Sequence, residues 1–395
     1  MVRKVAIIIE RANITLGGAE RSMFETARAL SILGLKVDLL AAKGRTSVKY
    51  IHVLCDDVPG KRVSLSRFGE TLRRHLAHNE YDIVHSILPF DFADLYQPRG
   101  GTYAESLRRH VGSYPNPILR LSKRATAFAN RRRAELLVAE RKLCRDSGGP
   151  VVAALSQYVV DQLQEHYAID PQRVVLTLNG VKINRRVNRK TAARLHEQIL
   201  SELGAWGRAN PVLFLFVAHN FRLKGLDRLI HALRLAGRSP TERPACLVVI
   251  GGGRSRSYQR LAKRLGVENR ILFLGSIKRV QNALSITDVG ILPTYYDPSS
   301  RFILEALAAG KPVITTRFNG ATDHFINGRH GRIIDSPDDL PALAEAIRHF
   351  TSAPNVTAAS QAILEDQLAD KISIRRVANE LVGVYESIYE RKKRL

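Results

Sequence analysis

The chain has 395 residues, of which 45% are hydrophobic and 25% are charged. This composition excludes an intrinsically disordered, fibrous or collagen-like protein, and the length is about two to three times that of one domain, so two domains are expected. The formal charge of +24 predicts an anionic partner, which a nucleic acid, an acidic membrane surface or a phosphate-bearing substrate could each provide.

The cysteines and the apolar runs bear on where the protein works. Cys55, Cys144 and Cys246 are odd in number and show no Cys-x-x-Cys spacing, so neither a disulfide framework nor a zinc site is predicted. No apolar run approaches the roughly 20 residues that cross a bilayer, and the first apolar run, at 5–9, is too short for the core of a signal peptide. We therefore expect a cytoplasmic protein.

Short runs rich in Val, Ile and Leu alternate with segments of helical period, which is the pattern of parallel sheets covered by helices on both faces. The predicted strands are 4–9, 36–41, 82–86, 151–155 and 174–177 in the first half, and 212–217, 246–250, 271–274, 289–293 and 312–315 in the second. The predicted fold class is α/β, with two doubly wound, Rossmann-like parallel-sheet domains that face each other across a ligand-binding cleft.

A polar and very basic segment at 184–210 marks the predicted domain boundary. We expect an N-terminal domain at 1–183 and a C-terminal domain at 184–374. The last helix, 375–395, is expected to pack back on the N-terminal domain, because one stripe of it is apolar. That stripe consists of Val377, Leu381, Val384 and Ile388.

Two glycine segments follow predicted strands. Gly17 and Gly18 open a helix directly after the first strand, and the glycines at 251–253 follow the strand 246–250. Glycines let the backbone approach a ligand, and the N–H groups at the start of a helix favour an anion. A plain turn or a flexible loop is the alternative. The segment with Gly17 and Gly18 lacks the Gly-x-Gly-x-x-Gly spacing of a dinucleotide-binding dehydrogenase.

Charged residues follow two strands of the second half. Arg222 and Lys224 lie beyond the strand 212–217, where they could hold a diphosphate, although a solvated face is the alternative in a chain with 61 Lys and Arg. Asp297 precedes a helix and Glu305 lies within it among apolar residues. A carboxylate in that position needs a hydrogen-bond donor, which the hydroxyls of a ribose would supply, unless Glu305 lies on an exposed face.

Together these segments resemble the retaining glycosyltransferases of family 4, which have the two-domain GT-B fold. The matching segments occur in the family's order: 17–21, 82–85, 179–181, 224–225, 251–253, 297–305, 310–314, Gly320, 327–328 and Gly331. Within the family, the segments 95–97 and 101–105 and an acidic motif without its usual glycine resemble the lipopolysaccharide core glucosyltransferases.

The resemblance implies a role for each matching residue. Lys224, with Arg222, would hold the donor diphosphate, Asp297 would contact hydroxyls of the donor sugar, and Glu305 would bind the ribose. The other residues implied on the donor side are Gly17, Gly18, Gly252, Ile277, Ser299, Ser300, Arg301 and Phe302, with Gly101 and Thr102 on the acceptor side. The backbone N–H groups of Ser299 and Ser300 belong to the loop that would meet the sugar and the phosphates.

Three positions depart from the family's pattern. Asp297 replaces a glutamate and is one methylene shorter, so its contact with the sugar is expected to be longer or bridged by water. Ser300 stands where a glycine is common, and Ile87 occupies the second histidine position of the Asp-x-x-His-x-His pattern. No general base is therefore assigned in the first domain.

The resemblance implies transfer of a hexose or heptose, with retention, from a UDP-, ADP- or GDP-linked sugar to a glycan or a lipid-linked saccharide. This reaction would belong to cell-envelope polysaccharide or lipopolysaccharide core synthesis. Fixed cations and helix N–H groups would stabilise the departing nucleotide diphosphate. No cofactor is implied, and no metal, since the chain contains no Asp-x-Asp.

The excess charge concentrates at 105–145, where eleven Lys and Arg face three Glu, a balance of +8. Leu121, Ala125, Phe128, Leu136 and Leu143 are interleaved with them at broadly helical intervals. A basic amphipathic helix is typical of a membrane surface, which here would be the inner face of the cytoplasmic membrane. A solvated helix is the alternative.

Two other functions compete with the transferase. A nucleic-acid-binding protein would also explain the charge, but no zinc-finger, RNP-type or helix-turn-helix motif accompanies it, so a nucleic-acid partner is disfavoured. Another enzyme of the same fold, such as a sugar-nucleotide epimerase or a phosphorylase, stays open because a fold does not determine a reaction.

Overall fold

The computed structural model describes residues 1–13, 18–58, 62–127, 130–183, 187–237 and 243–394, with only the backbone of 18, 19 and 127. The contacts divide the chain into two compact units. The first unit comprises 1–111, 115–182 and 373–395, and the second comprises 112–114 and 183–372.

The first unit is built on a parallel sheet of seven strands in the spatial order β3-β2-β1-β4-β5-β6-β7. The strands are β1 (Lys4–Ala12), β2 (Lys36–Gly44), β3 (Ile51–Val53), β4 (Ile83–Ser86), β5 (Leu95–Tyr96), β6 (Val151–Ala154) and β7 (Val174–Leu176). The helices between them are α1 (Gly18–Ile32), α2 (Leu65–His78), α3 (Tyr103–Gly112), α4 (Pro117–Ala127), α5 (Arg131–Arg145) and α6 (Gln157–Tyr167).

Both faces of this sheet are covered. Since side chains alternate along a strand, Ile7 and Ile9 of β1 pack in one core with α1, whereas Ala6 and Ile8 pack in another with α2. Burial on both faces explains why the strand runs are continuously apolar rather than alternating.

The second unit has a parallel sheet of six strands in the order β10-β9-β8-β11-β12-β13. The helices are α7 (Arg189–Glu202), α8 (Ala205–Arg208), α9 (Leu226–Ala236), α10 (Arg256–Arg264), α11 (Val280–Ile286), α12 (Arg301–Ala308), α13 (Leu340–His349), α14 (Ala353–Glu365) and α15 (Leu368–Lys371). The strands are β8 (Val212–Val217), β9 (Ala245–Ile250), β10 (Ile271–Gly275), β11 (Val289–Leu292), β12 (Val313–Thr316) and β13 (Gly331–Ile334).

These two sheets confirm the predicted α/β class with two doubly wound, Rossmann-like parallel-sheet units. Three strands were not predicted: β3, β5 and β13 have three, two and four residues. Runs this short carry no recognisable period, and β13 also includes Arg332, so their pairing with neighbouring strands decides that they form.

The last helix, α16 (Ile374–Arg394), belongs to the first unit. It buries Val377, Leu381 and Ile388 of the predicted stripe, while Tyr385 is fully buried and Val384 only partly. Tyr385 Oη lies 2.7 Å from His85 Nδ1 on β4, a hydrogen-bonding distance across 300 residues of chain.

The basic segment 105–145 is not one amphipathic helix but three, α3 to α5. Leu136 and Leu143 of α5 are buried in the cores of the first unit, whereas Leu121 of α4 is 71% exposed. Phe128 lies outside the described residues. The described interleaved apolar residues therefore divide between the protein core and solvent, and those that are exposed, Leu121 and Ala125, lie on α4.

Within the part of the chain that the structure describes, no helix combines the length and the apolar character needed to span a membrane.

Candidate functional site

The strongest concentration of predicted residues lies at the carboxyl edge of the second unit's sheet. Parallel strands end at the same edge, so the loops after β8, β9, β10 and β11 meet there. Gly225, which follows Lys224, has a φ of +74°, and a Cβ at this position would overlap the carbonyl oxygen of Pro293. Only glycine therefore lets the loop after β8 pack against the loop after β11.

Lys224 and Asp297 form the centre of this edge. Lys224 Nζ donates to Asp297 Oδ2 at 2.7 Å and to the carbonyl oxygen of Tyr296 at 2.7 Å. Both side chains are mostly buried, at 19% and 15% exposure. A charge-assisted hydrogen bond in such surroundings holds both groups in fixed positions. Two residues proposed from separate motifs are thus brought into direct contact.

Arg222 lies in the same loop as Lys224. Its guanidinium lies 3.6 Å from the centre of the Tyr114 ring and donates to Ser113 Oγ. Both partners belong to the short segment 112–114 of the second unit. The guanidinium is therefore held by a cation–π contact and a hydrogen bond, rather than extended into solvent as the alternative interpretation held.

Glu305 lies on α12, one turn after Arg301. Arg301 Nη2 donates to Glu305 Oε1 at 3.3 Å, and the two side chains are only 14% and 13% exposed. An exposed helix face, the alternative for Glu305, does not describe this position. Arg301 is the protein donor that a mostly buried carboxylate requires.

The segment that precedes α12 is held by hydrogen bonds within the chain. The Ser299 N–H donates to Asp297 Oδ1 at 3.2 Å, and the Ser300 N–H donates to Asn319 Oδ1 at 3.0 Å. Both serines and Phe302 are buried. The two N–H groups expected to meet the sugar and the phosphates therefore have protein acceptors in this structure.

The glycine loop after β9 and the segment after β10 lie side by side. Gly251 N–H donates to the carbonyl oxygen of Gly275 at 2.8 Å, and a Cβ on Gly252 would come within 3.1 Å of Ser276 Oγ. Ile277 follows and lines a groove of 510 Å³ between this segment and α7. The groove also presents the cations of Arg194, Lys278 and Arg279.

The predicted residues of the first unit lie around the start of α1 and α3. Gly17 is outside the described residues, and Gly18 is the first residue of α1. Gly101 has a φ of +68°. Thr102 is fully buried, where its Oγ1 donates to Gln162 at 3.1 Å and accepts the Glu105 N–H at 3.3 Å. Thr102 thus caps α3 from inside the fold.

His85, the histidine of the incomplete Asp-x-x-His-x-His pattern, is fully buried. Burial, with a contribution from the nearby charge of Arg99, lowers the pKa of His85 to about 3. The imidazole is therefore neutral at ordinary pH, and its Nδ1 is engaged by Tyr385. These surroundings agree with assigning no general base at this position.

Glu105, Glu165 and His166 are the one group of possible metal ligands found among the described residues. Burial alone would raise the pKa of Glu105, but hydrogen bonds from Arg109, Arg108 and His166 lower it to about 2. Cations of the protein itself thus already neutralise this carboxylate, and we assign the cluster to fold stability.

Two buried residues near the predicted sites were missed by sequence reasoning. Arg99 donates to Asn179 Oδ1 at 2.9 Å, to Gln97 Oε1 at 3.2 Å and to Ser22 Oγ. Asn319 holds Ser300 as described above. Ser22 and Asn179 are distant in sequence from Arg99, as Ser300 is from Asn319, so spacing carried no signal for these contacts. The motif glycine next to Asn319, Gly320, was the nearest hint.

Comparison with known proteins matches both halves of the chain to family models. Residues 16–185 match the model described as Glycosyltransferase Family 4, and residues 205–363 match Glycosyl transferases group 1. The Lys224, Asp297 and Glu305 positions all fall in the second match.

Two curated relatives are similar over most of their length. Lipopolysaccharide glucosyltransferase WaaG of Escherichia coli (strain K12) is 25% identical over 289 residues, which cover 72% of each chain. D-inositol 3-phosphate glycosyltransferase 2 of Catenulispora acidiphila is 26% identical over 372 residues, covering 86% of this chain and 83% of that one.

Solved structures support the fold. A crystal structure of WaaG, described as a glycosyltransferase involved in lipopolysaccharide biosynthesis, has a TM-score of 0.73 at 22% identity and covers 96% of this chain and 99% of its own. A structure of Anabaena HepE in complex with UDP-glucose has a TM-score of 0.71 at 17% identity, covering 97% and 99%. These likenesses identify the two-domain fold as GT-B.

Proposed function

The chain belongs to the group 1 and family 4 glycosyltransferases, and from this we propose that it is a retaining, metal-independent enzyme that moves a hexose or heptose from a nucleotide-diphosphate sugar to a glycan or a lipid-linked saccharide. In this reaction the bond between the anomeric carbon and the β-phosphate oxygen breaks. The acceptor oxygen bonds to that carbon on the same face, and its proton passes to the leaving phosphate.

The contact between Lys224 and Asp297 carries the proposal. An ammonium has three N–H donors, and two of them go to Asp297 and the Tyr296 carbonyl. Among the residues that the structure describes, this leaves one donor for an oxygen of the diphosphate. Lys224 would then touch the leaving group and the carboxylate that contacts the sugar. A fixed cation at the leaving group stabilises the charge that develops there.

Glu305 would bind the ribose, with its carboxylate directed by the Arg301 guanidinium 3.3 Å away. Arg222 would add a second cation for the diphosphate, and Gly252, with the segment through Ile277, would face the base. Gly17 and Gly18 stay predicted diphosphate-binding residues. On the acceptor side, Gly101 would lie next to the acceptor, and Thr102 would support the start of α3.

The relatives suggest which substrates to test first. HepE was solved with UDP-glucose, so a UDP-linked sugar is the first donor to test, before ADP- and GDP-linked sugars. The name of WaaG supports a role in lipopolysaccharide synthesis, and the inositol phosphate glycosyltransferases support a phosphorylated acceptor as the second class.

We also propose that the enzyme works in the cytoplasm, peripherally on the anionic inner face of the membrane. Helix α4 supports this, because Ile118 and Leu121 are 78% and 71% exposed on a helix that also carries Arg120, Lys123 and Arg124. Exposed apolar side chains among cations are the features of a helix that lies in a lipid interface.

Product analysis tests the reaction. The purified protein is incubated with UDP-, ADP- and GDP-glucose and with envelope glycans, and the anomeric configuration of the product is read by NMR. Transfer with the donor's own configuration supports the proposal, and an inverted product contradicts the retaining mechanism. Epimerised or phosphorolysed sugar would indicate the rival enzymes of this fold.

A further inference from the structure

Asn319 is a fully buried amide at the end of the segment that follows β12. Its side chain uses both of its polar atoms. Oδ1 accepts the N–H groups of Ser300 at 3.0 Å and Ala321 at 3.1 Å, while Nδ2 donates to Thr315 Oγ1 at 2.9 Å. An amide that is satisfied in this way in the interior has one orientation, since any rotation would leave buried groups without partners.

Backbone hydrogen bonds reinforce the same junction. The Asp297 N–H donates to the Phe318 carbonyl at 2.9 Å, and the Gly320 N–H donates to the Asp297 carbonyl at 2.9 Å. Asp297 is thus held on both sides by the residues flanking Asn319. Together with the bond from Ser300, three hydrogen bonds tie the segment 297–300 to the segment 318–320.

The tied segment carries the groups on which the proposed chemistry depends. The segment begins with Asp297, which accepts a hydrogen bond from Lys224. It ends with Ser300, which directly precedes α12, the helix of Arg301 and Glu305. A displacement of the Ser300 backbone would therefore move the start of α12 relative to the Lys224–Asp297 pair. Misplacing a binding group by about 1 Å can cost roughly a hundredfold in rate.

We propose that Asn319 is a positioning residue for the donor, which acts through the Ser300 N–H and touches no substrate itself. It sets the distance between two parts of the donor site. One part is the Lys224–Asp297 pair, which would meet the diphosphate and the sugar, and the other is the Glu305 carboxylate, which would meet the ribose. This inference rests on the proposed function, because it assigns Asn319 to the same donor site.

The test measures binding of UDP, ADP and GDP by isothermal titration calorimetry. Wild type and Lys224→Met come first, to establish the site. Asn319→Ala is then expected to weaken binding of the preferred nucleotide by about ten- to a hundredfold. Its matched control is Thr287→Val, which removes a buried hydroxyl that donates to the Ala283 carbonyl at 2.9 Å, before the amino end of β11. This control is expected to keep wild-type affinity.

Ser300→Pro tests the same hydrogen bond from its other side, because it removes the N–H and places the ring Cδ of proline where the hydrogen faced Asn319 Oδ1. Ser300 has a φ of −65°, a value that proline adopts, so the substitution removes the N–H without demanding a new backbone angle. Ser300→Ala keeps the N–H and loses only the hydroxyl, which makes it the reference. We expect Ser300→Pro to bind the nucleotide about tenfold or more weakly than Ser300→Ala.

The double variant Asn319→Ala with Ser300→Pro completes the cycle. If both substitutions act through one hydrogen bond, the loss of nucleotide affinity in the double variant equals the loss in either single variant. Independent effects would instead give the product of the two losses. Unchanged affinity in Asn319→Ala, an equal loss in Thr287→Val, or fully multiplicative losses would each overturn the inference while leaving the donor site intact. A wild type that binds none of the three nucleotides would instead remove the proposed function on which the inference rests.

Discussion

Lys224 and Asp297 lie 73 positions apart in the chain, yet their charged atoms are 2.7 Å apart. The sheet explains this proximity, because β8 and β11 are adjacent parallel strands and each residue follows the carboxyl end of one of them. Asp297 also accepts the Ser299 N–H, so its carboxylate is held by a cation and a backbone dipole together. At the residue scale, the site consists of charges held in place before any ligand arrives.

The first prediction concerns this cation. Lys224→Met keeps most of the side-chain stem and removes the charge, so the proposed stabilisation of the leaving diphosphate would be lost. We expect kcat/KM for the donor to fall about a hundredfold, which corresponds to about 3 kcal/mol of barrier. Lys263→Met, on the exposed face of α10, is the matched control. Equal kinetics in the two variants would refute the assignment of Lys224.

The second prediction concerns Glu140, a fully buried carboxylate of α5. Tyr96 Oη and Tyr167 Oη donate to it at 2.7 and 2.5 Å, and the Tyr103 N–H donates at 2.7 Å. Burial raises the pKa of Glu140 to about 7, and these hydrogen bonds offset only part of the rise. The folded protein thus holds a proton at a pH where the unfolded chain has lost it.

The sign of the pH dependence follows from that difference. The unfolded pKa is about 4.5, so the free energy of unfolding should fall as pH rises from about 4.5 to about 7, by up to about 3 kcal/mol, and stay level above. Urea unfolding at pH 5 and pH 8 measures the change. Glu140→Gln should reduce the difference, whereas Glu70→Gln, at an exposed position of α2, should leave it as in wild type.

At the scale of elements, the basic helices α4 and α5 place their apolar residues differently. Helix α5 turns Leu136 and Leu143 into the cores of the first unit, whereas α4 leaves Ile118 and Leu121 in solvent. Both helices are strongly basic, so charge alone does not distinguish them. The exposed apolar residues make α4 the candidate for contact with a lipid surface.

The third prediction tests α4 by flotation with vesicles of phosphatidylglycerol and phosphatidylcholine. The wild type should float at low salt and be released as salt screens the lipid charge. Ile118→Glu should weaken flotation because it places a carboxylate on the face that enters the interface. Ile32→Glu at the end of α1, where Ile32 is 77% exposed, makes the same charge change and should float like wild type. Flotation that neither substitution alters would exclude α4 as the contact.

At the scale of the whole molecule, the excess charge acts on stability as well as on partners. A formal charge of +24 makes the compact state repel itself, because folding brings like charges closer together than they are in the unfolded chain. Most of the ion pairs in the described residues have at least one partly exposed member, so they contribute little against this repulsion.

The fourth prediction follows from that imbalance. Raising sodium chloride from 20 to 300 mM should increase the midpoint of thermal unfolding, since the Debye length falls to about the spacing of neighbouring surface charges. Differential scanning calorimetry at fixed pH measures the shift. A midpoint that falls with salt would indicate that local ion pairs outweigh the net repulsion.

Much of the fold could be predicted from the order of apolar runs. The middle of β1, at 5–9, and all of β8 are continuously apolar, because both faces of these strands are covered, so the strands can be recognised from sequence. The two-residue strand β5 has no such pattern, because pairing with its neighbours rather than its own composition makes it a strand. The segment 105–145 shows a similar limit. The spacing of its apolar residues predicted a helix, but not which of these residues the core would bury.

The amino-acid sequence by itself determined the α/β class, the repeated strand and helix order and the residue types at the carboxyl ends of the strands, because those depend on local pattern. Only the tertiary structure decided that Lys224 meets Asp297 and that Asn319 holds Ser300. Each of these contacts depends on where separate loops come together in three dimensions. The energy that selects them comes from burying polar groups with their partners, which is a property of the packed chain and not of any segment alone.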